Sequence, residues 1–101
     1  MTLFAFHCTD GERGAMLRER HLAAHLAHIE AHLDRYAVAG PLKSGDAVKG
    51  SLLVVKARDE EEARIFFEED PYFQAGVWQA IRVEEFAAVA GEWVGGAAWK
   101  R

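Results

Sequence analysis

Apolar and polar positions first alternate along this chain, then cycle with a helical period, then alternate again. In Thr2 to Thr9 (TLFAFHCT), Leu3, Ala5 and His7 share one face and Phe4, Phe6 and Cys8 the other, which predicts a first strand. Asp10-Gly11 and Gly14 are breaks. From near Ala15 to about Tyr36 the chain is filled by Ala, Leu, Glu and Arg, with no internal Gly or Pro, and reads as one long helix. Ala37 to Leu42 is a second strand ending near Gly40-Pro41. Lys43 to Lys49 (KSGDAVK) is a loop, and Gly50 to Ala57 (GSLLVVKA) is a strand of branched apolar residues. Asp59 is an N-cap, completed by Glu62 as a capping box, for a helix over Glu60 to Glu68 that turns Ala63, Phe66 and Phe67 inward. Asp70-Pro71 opens a short turn over Tyr72 to Ala75, which Gly76 ends. Val77 to Phe86 (VWQAIRVEEF) alternates again as a fourth strand. Ala87 to Arg101 carries Trp93 and Trp99 among glycines, and reads as a tail that packs on the domain or on a second subunit.

The order strand, helix, strand, strand, helix, strand is the ferredoxin-like βαββαβ pattern. It predicts an α+β fold with a four-stranded antiparallel sheet and both helices on one face. The opposite face bears apolar side chains and has nothing in the chain to cover it. A homodimer formed through that face is the economical solution.

The long helix presents two stripes. Leu22, Leu26, Ile29 and Leu33 repeat at helical spacing and predict the core face. His21, His25, His28 and His32 repeat the same offsets one residue earlier, within roughly 60° of one another. They are four of the chain's five histidines. The plain reading is a solvated imidazole face.

At 101 residues the chain makes one domain. Its net charge of -4, with no basic patch, argues against nucleic acid as a partner. The acidic run Asp59 to Glu62 suits the positive end of a helix dipole. Cys8 is the single cysteine, so no intrachain disulfide forms, and its place in a strand predicts a buried, inert thiol. With no leader-like segment and no long apolar run, the expectation is a cytoplasmic protein without a membrane partner.

Several short motifs, taken in order, resemble the YciI-like (YCII-related) family. They are Arg18-x-x-His21-Leu22, Ala39-Gly40-Pro41-Leu42, Gly50-Ser51 opening a branched strand, and Asp70-Pro71-Tyr72 followed by Ala75-Gly76-Val77. The resemblance covers residues 1–88 and leaves 89–101 as a C-terminal tail. It implies a dimeric α+β barrel, in which ferredoxin-like subunits pair through their sheets. It also implies an active site built on a histidine and an aspartate, which map to His21 and Asp70. Relatives of the fold include muconolactone isomerases and a dehydrochlorinase acting on a chlorinated hydroxyquinol. The extra histidines His25, His28 and His32 depart from the family's pattern, as does the longer tail.

The chemistry suits such a pair. Histidine exchanges protons near neutral pH, and a carboxylate on one ring nitrogen fixes its tautomer. Asp70 can equally cap the helix that starts at Pro71, and the two roles are compatible. Arg18, one turn before His21, is read as an anion holder, with His7, Ser44 and Tyr72 as further substrate-binding candidates. Ser51 reads as a satisfied strand-end hydroxyl. His21 and His25 have the spacing of a metal-binding pair, but no third ligand completes a site, so no metal or other cofactor is expected. The expected function is acid–base chemistry of lyase or isomerase type on a small anionic molecule. The alternative is a non-catalytic module binding a small ligand or metal, or an accessory to another protein.

Overall fold

In the computed structural model, which describes residues 1–100, the first strand lies at the middle of the sheet. β1 (Thr2–Asp10) pairs antiparallel on one side with β3 (Ala47–Ala57) and on the other with β4 (Trp78–Phe86). β2 (Tyr36–Ser44) closes the far edge against β3, giving the order β2-β3-β1-β4. This is the ferredoxin-like arrangement that the element order predicts. The helices are α1 (Gly14–Ala31), α2 (Glu60–Phe67) and α3 (Pro71–Ala75). After Ala31 the chain tightens into a 3₁₀ turn at Leu33–Arg35, so the long helix ends sooner than its composition suggests.

Register puts Phe4 opposite Val55, Phe6 opposite Leu53 and Cys8 opposite Ser51, so these side chains share the helix-covered face. Phe66 and Phe67 of α2 close over them, with Phe67 stacked on Phe6 at 4.2 Å between ring centroids. Cys8 is fully buried, and burial pushes its thiol up to about 12. Asp59 caps α2 by accepting from the Glu62 N–H, while the Glu62 carboxylate reaches back to the Arg58 N–H.

Two elements differ from the sequence-based expectation. The loop over 43–49 is only a tight turn at Gly45-Asp46, flanked by paired strand residues, because Gly45 takes φ +60° and lets β2 fold directly back into β3. In the apolar stripe of α1 Ile29 packs against the core, but the three leucines do not. Leu22, Leu26 and Leu33 are 46%, 49% and 65% exposed. The buried positions of α1 are Gly14 and Leu17, and these lie in phase with the histidines, not with the leucines. His21, His25, His28 and His32 are each half-buried.

The opposite sheet face carries Leu3, Ala5, His7, Leu52, Val54, Arg82, Glu84 and Phe86. Beyond β4, residues Ala90–Gly91 and Gly96–Ala97 form a two-stranded pair, β5 and β6. The segment from Ala88 to Val94 borders one end of this face and makes an apolar groove of about 500 Å³ with Leu3, Val38, Leu52 and Val54. No helix among the described residues is long and apolar enough to cross a membrane.

Candidate active site

A cleft of about 300 Å³ separates the apolar side of α1 from β2 and β3. Leu22, Leu26 and Ile29 form one wall, and Ala39, Gly40, Pro41 and Leu53 the other. The leucines that the sequence assigns to the core therefore line an opening. His25, Arg18, Ser51 and Tyr72 supply its polar groups.

The imidazole that meets Asp70 belongs to His25. Its Nδ1 lies 2.8 Å from Asp70 Oδ1. An ionised carboxylate can only accept, so this bond places the proton on Nδ1 and leaves Nε2 as the basic atom of the neutral ring. Asp70 is 1% exposed, and the same Oδ1 accepts the Tyr72 backbone N–H at 2.8 Å. Asp70 thus caps α3 and orients an imidazole with one oxygen. Its extended backbone, enforced by the proline that follows, aims the side chain at α1. The His25 ring is also clamped flat against Tyr72, with centroids 3.8 Å apart and planes 2° from parallel.

Tyr72 is buried, and its hydroxyl donates to the Arg18 carbonyl at 3.1 Å. Burial raises its pKa above the usual range, so the hydroxyl stays protonated. Its contribution to the cleft is the ring and the positioning of its neighbours, not a free donor.

Arg18 is also differently employed from the expectation. Its Nε and Nη2 grip Asp10 at 2.7 and 2.9 Å, and Nη2 further donates to the Gly50 carbonyl and to Ser51 Oγ at 2.9 and 2.8 Å. The pair is mostly buried, with side chains 14% and 9% exposed. The guanidinium charge is therefore neutralised within the protein, and Arg18 serves as a brace that ties α1 to β1 and β3. Ser51 accepts from Arg18 and so keeps its own O–H to donate. Ser51 is 5% exposed and lines the cleft, a stronger position than its sequence context suggests.

The remaining candidates lie elsewhere. His21 neither borders the cleft nor makes any hydrogen bond, ion pair or ring contact with the described residues. His7 is exposed on the opposite sheet face, in register with Leu52 and Arg82, because strand alternation turns it away from Phe6 and Cys8. Ser44 is exposed beside the β2–β3 turn, which extends past the cleft. His21 and His25 are not joined by a third ligand: no group of three or more His, Cys, Asp or Glu capable of holding a metal occurs among the described residues. The signal for His25 lay in helical phase. Gly14 and Leu17, the small and apolar residues that open α1, share the histidine stripe and mark it as the inward face.

Fold and site together define an α+β subunit of the ferredoxin-like class, with an imidazole–carboxylate pair at the polar part of a cleft. The sequence matches the family model described as the YCII-related domain over residues 2–87, and the chain belongs to that family. No curated protein matches it. Among solved structures it is similar to 5-chloro-2-hydroxyhydroquinone dehydrochlorinase (TftG) from Burkholderia phenoliruptrix AC1100, determined in complex with 2,5-dihydroxybenzoquinone. The TM-score is 0.75 at 29% identity, covering 89% of this chain and 96% of that one. The fold is that of the YciI-like dimeric α+β barrel subunit.

Proposed function

We propose that this protein is a small-molecule enzyme of lyase or isomerase type, in which His25 moves a proton and Asp70 orients it. The observation that carries this reading is the 2.8 Å bond from His25 Nδ1 to a carboxylate that is 1% exposed, beside an apolar cleft. A carboxylate bonded to Nδ1 fixes the tautomer and stabilises the imidazolium formed when Nε2 takes a proton. The step is a simple one. Nε2 removes an O–H or C–H proton from a bound molecule, and the electron pair left behind shifts a double bond or expels a leaving group.

The cleft favours a flat, largely apolar molecule with a few oxygens. Its walls are aliphatic, and its polar groups are the imidazole, the Ser51 hydroxyl and the unspent Nη1 of Arg18. A hydroxylated six-membered ring fits that description, and the similar dehydrochlorinase was determined with such a ring bound. Because Asp10 already balances Arg18, a neutral or singly charged phenol is favoured over a dianion.

The test is turnover of chlorinated and unchlorinated hydroxyquinols, followed by ultraviolet absorbance and chloride release. His25→Asn should lower kcat by about 10²–10⁴-fold, the usual worth of a positioned acid–base group. His21→Asn should leave it unchanged. Equal activity in His25→Asn and the wild type would sink the proposal.

A further inference from the structure

Arg18 brings the only guanidinium to the cleft lining, and the way its donors are spent decides what it can hold there. A guanidinium offers a carboxylate two kinds of edge for a bidentate grip, Nε with one Nη or the two Nη together. Asp10 takes the first, with Oδ2 2.7 Å from Nε and Oδ1 2.9 Å from Nη2. The second needs Nη2 as well, and Nη2 also donates to the Gly50 carbonyl at 2.9 Å and to Ser51 Oγ at 2.8 Å. Three acceptors already share its two hydrogens. Nη1 alone makes no hydrogen bond or ion pair with the described residues. The Tyr72 ring lies against a face of the group, 5.3 Å from Cζ.

Asp10 is itself seated with care. Its side chain is 9% exposed and stands at the end of β1, beside the first turn of α1. A Cβ on Gly14, the first residue of that helix, would lie 2.8 Å from both Asp10 Cβ and Asp10 Oδ2. Gly14 is buried, and glycine is the residue that leaves the carboxylate this room.

We infer that Asp10 is a specificity-determining residue. It is a built-in carboxylate that occupies the edge of Arg18 a carboxylated ligand would need, and so restricts the cleft to hydroxylated or ketonic rings without a ring carboxylate. This rests on the reading of the cleft as the binding site, and names its substrate class more closely. A ring hydroxyl or ketone oxygen needs only single hydrogen bonds, which Nη1 can still give. A ring carboxylate would find no open edge and would bring a second negative charge against Asp10. No lysine and no other arginine lines the cleft to balance it.

The experiment is calorimetric titration of a matched pair, hydroquinone and 2,5-dihydroxybenzoate, which differ by one ring carboxylate. The readout is the ratio of their dissociation constants, which cancels any general weakening of the cleft. The wild type should prefer hydroquinone, and a preference for the carboxylate overturns the inference. Asp10→Asn keeps an acceptor for Arg18 but removes the charge, and should move the ratio toward the carboxylate by at least about tenfold. Arg18→Gln leaves Asp10 unbalanced and should move the ratio the other way. The double variant Asp10→Asn with Arg18→Gln removes both charges and should return to the wild-type ratio, which a displaced helix would not do. An unchanged ratio in Asp10→Asn overturns the inference. So does a double variant that rejects the carboxylate as strongly as Arg18→Gln, since Arg18 then holds it whatever Asp10 does. If Asp10→Asn does not fold, the wild type, Arg18→Gln and the double variant still decide. Binding of neither compound by any folded protein of the set also overturns it. Turnover in His25→Asn bears on the proposed function and not on this assignment.

Discussion

Asp70 combines two functions in one oxygen, and that economy explains its burial. A carboxylate 1% exposed needs donors, and the Tyr72 N–H and the His25 ring supply them from two different elements. His28, packed against Phe66 and His32, gives the fold a pH dependence of definite sign. Its native pKa is held below 6.5, chiefly by burial. Above about pH 6.5 the ring is neutral folded or unfolded, and it contributes no slope. Below that, the unfolded chain binds a proton that the native ring resists, so stability falls as the pH drops from about 6.5 toward the native value and levels off beneath it. Urea unfolding at about pH 7.5 and pH 5 should therefore show a smaller acid loss in His28→Phe than in the wild type. An equal or larger loss in the variant contradicts this. At the residue scale the sequence offered Asp70 both as a site residue and as a helix cap, and the cap is present in the Tyr72 N–H bond to Oδ1. The sequence pointed to His21 because the motif Arg18-x-x-His21-Leu22 offers that residue first. The distinction between His21 and His25, one turn apart, is made by α3, which packs where only His25 meets the carboxylate.

At the scale of elements, the four strands and the short proline-led helix were legible because alternation, branched residues and turn chemistry all agree there. Helix α1 was not. Hydropathy ranks leucine above histidine, so the leucine stripe looks like the core, yet His25, His28 and His32 pack inward against Tyr72 and Phe66 while Leu22 and Leu26 wall a cleft. A ligand cleft is the setting in which that ranking fails, since it needs apolar walls that nothing in the chain covers. Two glycines separate holding the site from shaping it. A Cβ on Gly50 would lie 2.0 Å from the Cys8 carbonyl oxygen, in the backbone of the paired strand. Gly50→Ala should cost at least about 1–3 kcal/mol and displace the carbonyl that Arg18 grips. A Cβ on Gly40 meets nothing within 4 Å, and the residue lies on the cleft wall. Gly40→Ala should keep the melting temperature and alter only which ring substituents are accepted. Equal melting temperatures for Gly50→Ala and the wild type would contradict the close packing of β1 on β3.

At the scale of the molecule, the sheet face opposite the helices remains the feature that one chain does not complete. Leu3, Leu52, Val54 and Phe86 form its apolar part, and the tail edges it with Trp93, which is 86% exposed. A homodimer formed through this face would cover it, with the tail beyond residue 87 bordering the contact. Light scattering during gel filtration should give a dimer for the wild type and a folded monomer for Leu52→Asp. A wild-type monomer at micromolar concentration would contradict this. Such pairing would leave the cleft on the far side of the sheet from the interface, since its lining comes from α1, β2, β3 and Tyr72.

The central claim is that His25, not its neighbour one turn earlier, works with Asp70 in the cleft. The most direct measurement is a calorimetric titration of 2,5-dihydroxybenzoquinone into the wild type, His25→Asn and His21→Asn, with ring resonances followed in parallel. Binding is expected for the wild type and His21→Asn, with its loss or marked weakening in His25→Asn, and movement of the His25 resonances alone among the helix histidines on binding. Binding that survives in His25→Asn but fails in His21→Asn contradicts it.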